Sequence, residues 1–145
     1  MKGKQVFDML KGELASAIIE VQDECLVVKP AKLTEVAGFI KHTQGLEFDY
    51  LSSATGIDYP DYFEVVYLFY SLEKNHRFTL RIRCTDKADP VAPSLTCLWM
   101  GADLQEREIY DLLGIKFSGH PLLKRIFMWE GFEGHPLRKD FKNGF

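Results

Sequence analysis

The stretch that organises the rest of the chain reads Asp103-Leu-Gln-Glu106-Arg107-Glu108-Ile-Tyr110-Asp111-Leu-Leu-Gly114-Ile-Lys-Phe117-Ser-Gly119-His120-Pro121. Its first half predicts a helix with a signal at each end. Asp103 can cap the start of the helix, and Glu106, three residues later, can bond back to the cap. Gly114 follows the last pair of leucines, where a residue in the left-handed conformation commonly ends a helix.

Charged side chains are crowded along this predicted helix. Arg107 lies one turn from both Asp103 and Asp111, so opposite charges should stack along one edge. Glu106 and Glu108 are two residues apart and point in different directions, which argues against paired carboxylates acting on one substrate atom. Charges packed beside a short apolar stripe, instead of spread over a solvated face, predict that this stretch contacts a partner.

Two separated blocks of the sequence carry a family resemblance. The first block runs Glu106-Arg107-Glu108-x-Tyr110-Asp111-x-x-Gly114-Ile115-x-Phe117-x-Gly119-His120-Pro121 and continues with Lys124-Arg125-Ile126. The second block reads Gly134-His135-Pro136-Leu137-Arg138-Lys139-Asp140. From Leu104 to Asp140 the chain therefore resembles the 30 kDa family of respiratory complex I, which is the family of the C subunit of NADH-quinone oxidoreductase.

This resemblance implies a subunit in the peripheral arm of a proton-translocating NADH:quinone oxidoreductase of the respiratory chain. The chain would scaffold the quinone-site subunit and its iron–sulfur neighbour without catalysing an electron-transport step itself. It would carry no cofactor, whereas FMN, iron–sulfur clusters, NADH and quinone would be bound by other subunits. The residues expected at the partner interface are Glu106, Arg107, Glu108, Tyr110, Asp111, Gly114, Phe117, His120, Pro121, Arg125, His135, Pro136, Arg138, Lys139 and Asp140.

The expected role of the charged motif residues is to orient the interface. We expect ion pairs of Arg107 and Asp111 with the partner to fix orientation more than affinity. The run Arg138-Lys139-Asp140 is expected to become ordered against another subunit. An alternative with the same motifs is the homologous subunit of a membrane-bound NiFe hydrogenase or related energy-converting complex.

Length and composition describe an ordinary globular chain. It has 145 residues, of which 46% are hydrophobic and 27% charged, and its formal net charge is −3. A negative net charge argues against nucleic acid as a partner. No run approaches the roughly 18 apolar residues that span a bilayer, and no signal-peptide pattern is present. We expect a peripheral protein, bound through partners to the cytoplasmic face of the plasma membrane if its source is bacterial or archaeal.

Metal binding and independent catalysis are the remaining functions to weigh. Cys25, Cys84 and Cys97 are widely spaced and form no Cys-x-x-Cys pair, which favours buried free thiols over a zinc or iron–sulfur site. His120 and His135 each precede a proline, which favours an extended backbone and a structural hydrogen bond from each imidazole.

A cluster of these histidines with nearby carboxylates leaves two alternatives open. His120 and His135, together with Glu108 or Asp111, offer nitrogen and oxygen ligands for a metal. The same cluster would serve a small stand-alone enzyme. Structural hydrogen bonds are the expectation, because the sequence has no Glu-x-x-His or His-x-x-x-His motif on one helix.

The periodicity upstream predicts the other elements. Residues 4–16 suit an amphipathic helix, residues 17–21 and 25–28 a hairpin, and a further helix should begin at Pro30 and end at Gly45. Three strands are predicted at residues 46–54, 62–70 and 76–84. The second strand should be central, because it is apolar on both faces.

Alternation in the third strand predicts which of its faces is buried. Phe78, Leu80 and Ile82 should face inward, whereas Arg77, Thr79, Arg81 and Arg83 form an outward row that is solvated or meets an acidic partner. Residues 86–93 are expected to be a linker, and Ser94 should cap a short helix that runs through Trp99.

This order of elements predicts an α+β fold of two layers, with helices packed on a largely antiparallel or mixed sheet and an extended C-terminal tail. We expect residues 1–120 to form the domain and residues 121–145 to form a partner-binding tail.

Overall fold

A five-stranded mixed sheet forms the centre of the structure, a computed structural model that describes residues 1–142. Its strands are β1 (Ile18–Gln22), β2 (Cys25–Val28), β3 (Tyr50–Asp58), β4 (Phe63–Ser71) and β5 (His76–Cys84). They lie in the order β1-β2-β5-β4-β3, in which the β2–β5 pair is parallel and the other three pairs are antiparallel. The predicted α+β fold with a mixed sheet is confirmed.

Four helices and a small second sheet complete the elements of the described residues. The helices are α1 (Gly3–Met9), α2 (Glu13–Ser16), α3 (Leu33–His42, preceded by a 3₁₀ turn at Pro30–Lys32) and α4 (Ala102–Leu113). Strands β6 (Val91–Pro93) and β7 (Lys116–Ser118) pair in parallel. Among residues 1–142, no helix has the length and apolar character needed to cross a membrane.

The hydrophobic core lies against one face of the main sheet. The predicted alternation of β5 is confirmed, since Phe78, Leu80 and Ile82 are buried. Strand β4, which the sequence predicted to be central, lies between β5 and β3 and is paired on both edges. Its second face is covered less than expected, because Val66, Leu68 and Tyr70 are only partly buried.

On the opposite face of the sheet, the outward arginines form ion pairs within the chain. The buried carboxylate of Glu64 accepts from Arg81 Nη1 at 3.1 Å and from Arg83 Nε at 3.4 Å. Arg83 also reaches Glu20 on β1, with Nη2 lying 3.1 Å from Oε2. These two members of the predicted arginine row are therefore compensated by the protein's own carboxylates.

Several predicted boundaries are wrong. The helix at residues 4–16 is divided into α1 and α2, because Gly12 adopts a positive φ of 61°. Helix α3 ends at His42, three residues before Gly45. The strand expected at residues 46–54 begins only at Tyr50. Leu46 and Phe48 are fully buried loop residues, so their hydrophobicity reflects burial and not strand structure.

The segment between β5 and α4 also differs from expectation. The predicted linker at residues 86–93 contains β6, which pairs with β7. Residues 94–99 form a turn in which the N–H of Trp99 donates to the carbonyl of Leu95, and no helix is present there. Pairing with a strand from beyond α4 is a tertiary effect with no local signal.

The last part of the chain, residues 121–142, is called the C-terminal segment below. It contains neither helix nor strand, and it returns over α4 and the end of β3 through hydrogen bonds. Residues 143–145 of the predicted tail lie outside the described residues.

Candidate functional site: helix α4 and the C-terminal segment

Helix α4 is seated on the edge strand β3. A Cβ atom at Gly56 would lie 2.4 Å from Cδ1 of Leu113 and 3.1 Å from Cγ2 of Ile109, so glycine permits the close approach of helix and strand. The side-chain oxygen of Gln105 accepts a hydrogen bond of 2.5 Å from the N–H of Ala54 on that strand. Ile109 and Leu113, on the apolar side of the helix, thus face β3, and the C-terminal segment contacts a different side of α4.

Asp111 is the centre of the contact between α4 and the C-terminal segment. Its carboxylate is fully buried, and Oδ1 accepts from Arg125 Nε at 2.5 Å. Oδ2 accepts three consecutive backbone N–H groups, from Ile126, Phe127 and Met128, at 3.0, 2.6 and 3.1 Å. Successive N–H groups directed at one anion form a backbone nest, which compensates a buried negative charge.

Arg125 connects α4 to two further points of the C-terminal segment. Its Nη1 donates to the carbonyl of Phe132 at 2.6 Å, and its Nη2 donates to the carbonyls of Gly134 at 2.7 Å and Asp111 at 3.0 Å. Burial raises the pKa of Asp111, but the bonds from Arg125 and the three N–H groups outweigh that effect and hold the pKa below its ordinary value.

The C-terminal end of α4 is capped by the second sequence block. Gly114 takes the left-handed conformation, with φ of 80°, so the predicted helix end is confirmed. The last carbonyls of a helix lack partners within the helix. Here they bind the C-terminal segment. The carbonyl oxygen of Asp111 lies 3.0 Å from His135 Nδ1, that of Leu112 accepts the N–H of Leu137 at 2.9 Å, and that of Leu113 accepts from Arg138 Nε at 2.5 Å.

Glu106 binds the segment before α4 instead of forming a capping box. The helix starts at Ala102, and its N-cap residue, Gly101, makes no side-chain cap bond. The buried carboxylate of Glu106 accepts from Ser94 Oγ at 2.6 Å and from the N–H of Leu95 at 2.7 Å. Burial raises the pKa of Glu106, although these two bonds oppose the rise. The prediction failed because the partners are remote in sequence.

His120 makes the structural hydrogen bonds expected of it. Its Nδ1 accepts from the N–H of Leu122 at 3.0 Å, so Nε2 carries the proton. Nε2 lies 3.1 Å from the carbonyl oxygen of Asp103 and 3.0 Å from its Oδ1, and the bond geometry favours the carbonyl. The ring is fully buried. Both nitrogens are therefore used within the chain.

The predicted stack of charges along α4 is wrong. Arg107 donates from Nε to the carbonyl of Lys124 at 3.0 Å. Asp111 pairs with Arg125, while Asp103 contacts His120. Contacts with residues 120–125 therefore take the place of the predicted pairing between charges one turn apart. All the oxygens of the Asp111 carboxylate accept from the chain itself.

The predicted interface residues divide by exposure. Glu106, Asp111, Gly114 and Phe117 are buried, whereas Glu108, Pro121, Lys139 and Asp140 are exposed. The partly buried members are Arg107, Tyr110, His120, Arg125, His135, Pro136 and Arg138. The structure brings most of the motif together around α4 and the C-terminal segment.

Sequence reasoning missed one residue of this site, Asp58 at the end of β3. Its Oδ2 accepts the N–H of Lys139 at 2.9 Å, and its Oδ1 lies 2.5 Å from Lys87 Nζ. Burial raises the pKa of Asp58, but the bonds from Lys87 and Lys139 lower it below its ordinary value overall. Both partners are far away in the chain, so no local pattern could have indicated this role.

Large apolar side chains lie on the outer surface of the C-terminal segment. Phe127 is 61% exposed and Trp129 is 66% exposed. Leu122 and Leu137 are also more than half exposed. The segment therefore turns polar groups toward α4 and apolar groups outward. Within residues 1–142, no group of three or more histidine, cysteine or acidic side chains is arranged to hold a metal ion.

The fold and this site define a mixed α+β domain whose last helix is completed by its own C-terminal segment. Residues 26–144 match the family described as "Respiratory-chain NADH dehydrogenase, 30 Kd subunit", and the chain belongs to that family. The resemblance seen in the two sequence blocks is confirmed.

Individual relatives agree with this assignment. The chain is 48% identical over 117 residues to C subunit 2 of the NADH-quinone oxidoreductase of Rhizobium meliloti (strain 1021), a match that covers 79% of this chain and 63% of the relative. It is 40% identical over 146 residues to the NADH-quinone oxidoreductase C subunit of Roseiflexus sp. (strain RS-1), a match that covers 96% of this chain and 83% of the relative. The chain thus spans a little under two thirds of the rhizobial protein.

A solved structure shares the fold. A chain in the structure of the membrane-bound sulfane sulfur reductase, an archaeal respiratory membrane complex, superposes with a TM-score of 0.76. The match covers 96% of this chain and 82% of the other, at 22% sequence identity. This likeness shows a common fold.

Proposed function

We propose that this chain is a peripheral-arm subunit of a proton-translocating NADH:quinone oxidoreductase, where it scaffolds neighbouring subunits and catalyses no step itself. The observation that carries the proposal is the match of residues 26–144 to the 30 kDa subunit family. Relatives named as C subunits of NADH-quinone oxidoreductase support it, at 40% to 48% identity.

The proposed docking surface is the outer side of the C-terminal segment. Exposed aromatic side chains are enriched in protein interfaces and contribute much of their binding energy. The exposed aromatic residues here are Phe127 and Trp129, and the exposed Leu122 and Leu137 extend the same apolar surface. The buried Asp111 and the partly buried Arg125 would act on binding indirectly, by placing this segment.

The proposed partners are the quinone-site subunit and its iron–sulfur neighbour. FMN, iron–sulfur clusters, NADH and quinone would be bound by those and other subunits, and this chain would carry no cofactor. The proposed location is the cytoplasmic face of the plasma membrane, if the source is bacterial or archaeal. These assignments rest on family membership.

A tagged pull-down from detergent-solubilised native membranes tests the proposal, with co-purifying subunits identified by mass spectrometry. Recovery of a quinone-site subunit together with flavin and iron–sulfur subunits would confirm it. A nickel-bearing large subunit would assign the chain to a hydrogenase-related complex, and recovery of the chain alone at physiological salt would overturn the docking role.

A double variant, F127A with W129A, tests the surface itself. Removing two exposed rings at the centre of an interface is expected to lower recovery of the partners by about tenfold or more. The matched control is L72A in the turn between β4 and β5, where Leu72 is 70% exposed. Equal recovery from both proteins would place the docking surface elsewhere on the molecule.

A further inference from the structure

The C-terminal segment is held largely by contacts with the domain. It forms no helix or strand over residues 121–142, and its large apolar side chains at Phe127 and Trp129 point away from the core. A chain end of this kind is poorly ordered unless other groups hold it. Leu123 packs on the core, and the ring of Phe132 contacts those of Trp129 and Phe141. The remaining contacts that hold the segment are polar contacts with the domain.

Two carboxylates anchor the segment, one on each side of the bonds by which residues 135–138 cap α4. The first anchor is Asp111 on α4, which binds Arg125 and the N–H groups of residues 126–128. The second anchor is Asp58 at the end of β3, which accepts the N–H of Lys139 at 2.9 Å. Phe127 is part of the first anchor through its N–H, and Trp129 lies between the two anchors.

Lys87 and Phe63 support the second anchor. Lys87 Nζ lies 2.5 Å from Oδ1 of Asp58 and donates to the carbonyl of Tyr59 at 2.8 Å. Two cations lie over the ring of Phe63, with Lys87 Nζ 4.7 Å and Arg138 Cζ 5.0 Å from its centroid. The carboxylate of Asp58 is buried, so its orientation is fixed by these contacts.

We propose that Asp58 and Lys87 are positioning residues which, together with Asp111, hold the C-terminal segment in its docking conformation before any partner binds. This inference rests on the proposed function only in treating the segment as the docking surface. It replaces the expectation that Arg138-Lys139-Asp140 becomes ordered against another subunit. A preformed surface avoids the entropic cost of ordering a segment during association.

Amide hydrogen exchange in the isolated 145-residue chain, followed by NMR, tests this inference. The proteins compared are the wild type, D58N, K87M and the control D61N, which makes the same change at an exposed carboxylate three residues away. In the wild type, the N–H of Lys139 should be protected. In D58N its exchange should accelerate by about tenfold to a hundredfold, because a hydrogen bond to a charged acceptor is weakened. K87M keeps the acceptor and should accelerate exchange less.

Two results would overturn the inference. One is exchange of the wild-type Lys139 N–H at the rate of an unstructured peptide. The other is acceleration in D58N that is matched by the core amides of β5, which would mean that Asp58 stabilises the whole fold and not the segment. If K87M and the wild type exchange equally, Lys87 has no part in positioning.

Failure of this inference and failure of the proposed function give different results. If the segment is protected from exchange in the isolated chain but the pull-down recovers no partner, this inference stands and the docking role fails. If the segment is unprotected in the isolated chain but the pull-down recovers partners, the proposed function stands and preorganisation fails.

Discussion

Gly114 and His135 approach so closely that a Cβ atom at Gly114 would lie 2.6 Å from Cδ2 of the imidazole. The same atom would lie 2.7 Å from Nη2 of Arg138. The left-handed φ of 80° at Gly114 adds a second reason for glycine at the end of α4. One residue thus ends the helix and provides the space in which the second sequence block is seated.

Replacing Gly114 with alanine should therefore destabilise the protein through two effects. The positive φ costs about 1–2 kcal/mol for a residue with a Cβ, and the forced contact with His135 costs about 1–3 kcal/mol more. Urea unfolding measures the sum. G45A is the control, because Gly45 has a φ of 92° with open space around it. Equal losses in the two variants would show that the C-terminal segment does not pack on Gly114.

The fork geometry of Arg125 should matter as much as its charge. R125K keeps the cation but cannot make the four bonds to Asp111, Phe132 and Gly134. We expect it to lower the free energy of unfolding by about 1–3 kcal/mol. R77K, at an exposed arginine on β5, should change it by less than about 0.5 kcal/mol. If R125K left the free energy of unfolding unchanged, the charge of Arg125 would matter and its fork geometry would not.

Glu106 and Glu108 are expected to behave differently although they are two residues apart. E106A removes the buried acceptor of the Ser94 hydroxyl and of the Leu95 N–H, and only the hydroxyl has a second neighbour, Thr96 Oγ1 at 2.9 Å. The unsatisfied N–H alone costs about 1–3 kcal/mol. E108A removes an exposed side chain and should cost less than about 0.5 kcal/mol. Thermal denaturation of both variants measures the difference, and similar melting temperatures would contradict the buried role of Glu106.

Stability should fall in acid because of Asp58 and Asp111. Their folded pKa values lie below the unfolded value of about 3.9, so the unfolded state takes up protons first as the pH falls. Their stabilisation is complete above about pH 5 and is lost as the pH drops through the folded pKa values. Urea unfolding between pH 3 and 7 should show a shallower acid loss in D58N than in D61N, and parallel curves would contradict the assignment.

Glu106 contributes to the pH dependence with the opposite sign. Its pKa is raised by burial, so the folded state binds the proton more tightly than the unfolded state. Its contribution is present below the unfolded pKa and is lost as the pH rises through the folded pKa. Comparing E106A with E108A over the same pH range isolates this contribution.

The three cysteines should differ in reactivity. Burial raises the pKa of Cys25 and of Cys84 to about 11, whereas Cys97 is exposed. Because the thiolate is the reactive species, a disulfide reagent at pH 8 should titrate one thiol rapidly in the native chain. In denaturant all three should react. C97S should remove the fast phase, and a second fast thiol in the native chain would contradict the burial of Cys25 or Cys84.

The sequence predicted those features of the fold whose causes are local. The alternation in β5 is visible because one face is buried and the other carries arginines. The hairpin of β1 and β2 and the end of α4 at Gly114 follow from strand propensity and from the left-handed conformation of glycine. Each of these depends on residues within a few positions of one another.

The features that sequence reasoning missed depend on partners remote in the chain. Asp111 meets Arg125 fourteen positions away, beyond the reach of helical pairing. Glu106 binds Ser94 from the preceding turn, and Asp58 binds Lys139 across most of the chain. Charge crowding along α4 predicted contact with a partner. It could not indicate that the chain itself provides the groups that bind Glu106 and Asp111.

The order of synthesis gives the Asp111 contact a further consequence. A ribosome releases α4 before it releases Arg125, Arg138 and the N–H groups that satisfy the last carbonyls of the helix. Until those residues emerge, the nascent chain holds a carboxylate that it cannot bury without a large energetic penalty. Final closure of the domain is therefore expected only after translation has passed these residues. A chain that stops short of Arg125 would remain open at this helix and accessible to proteases.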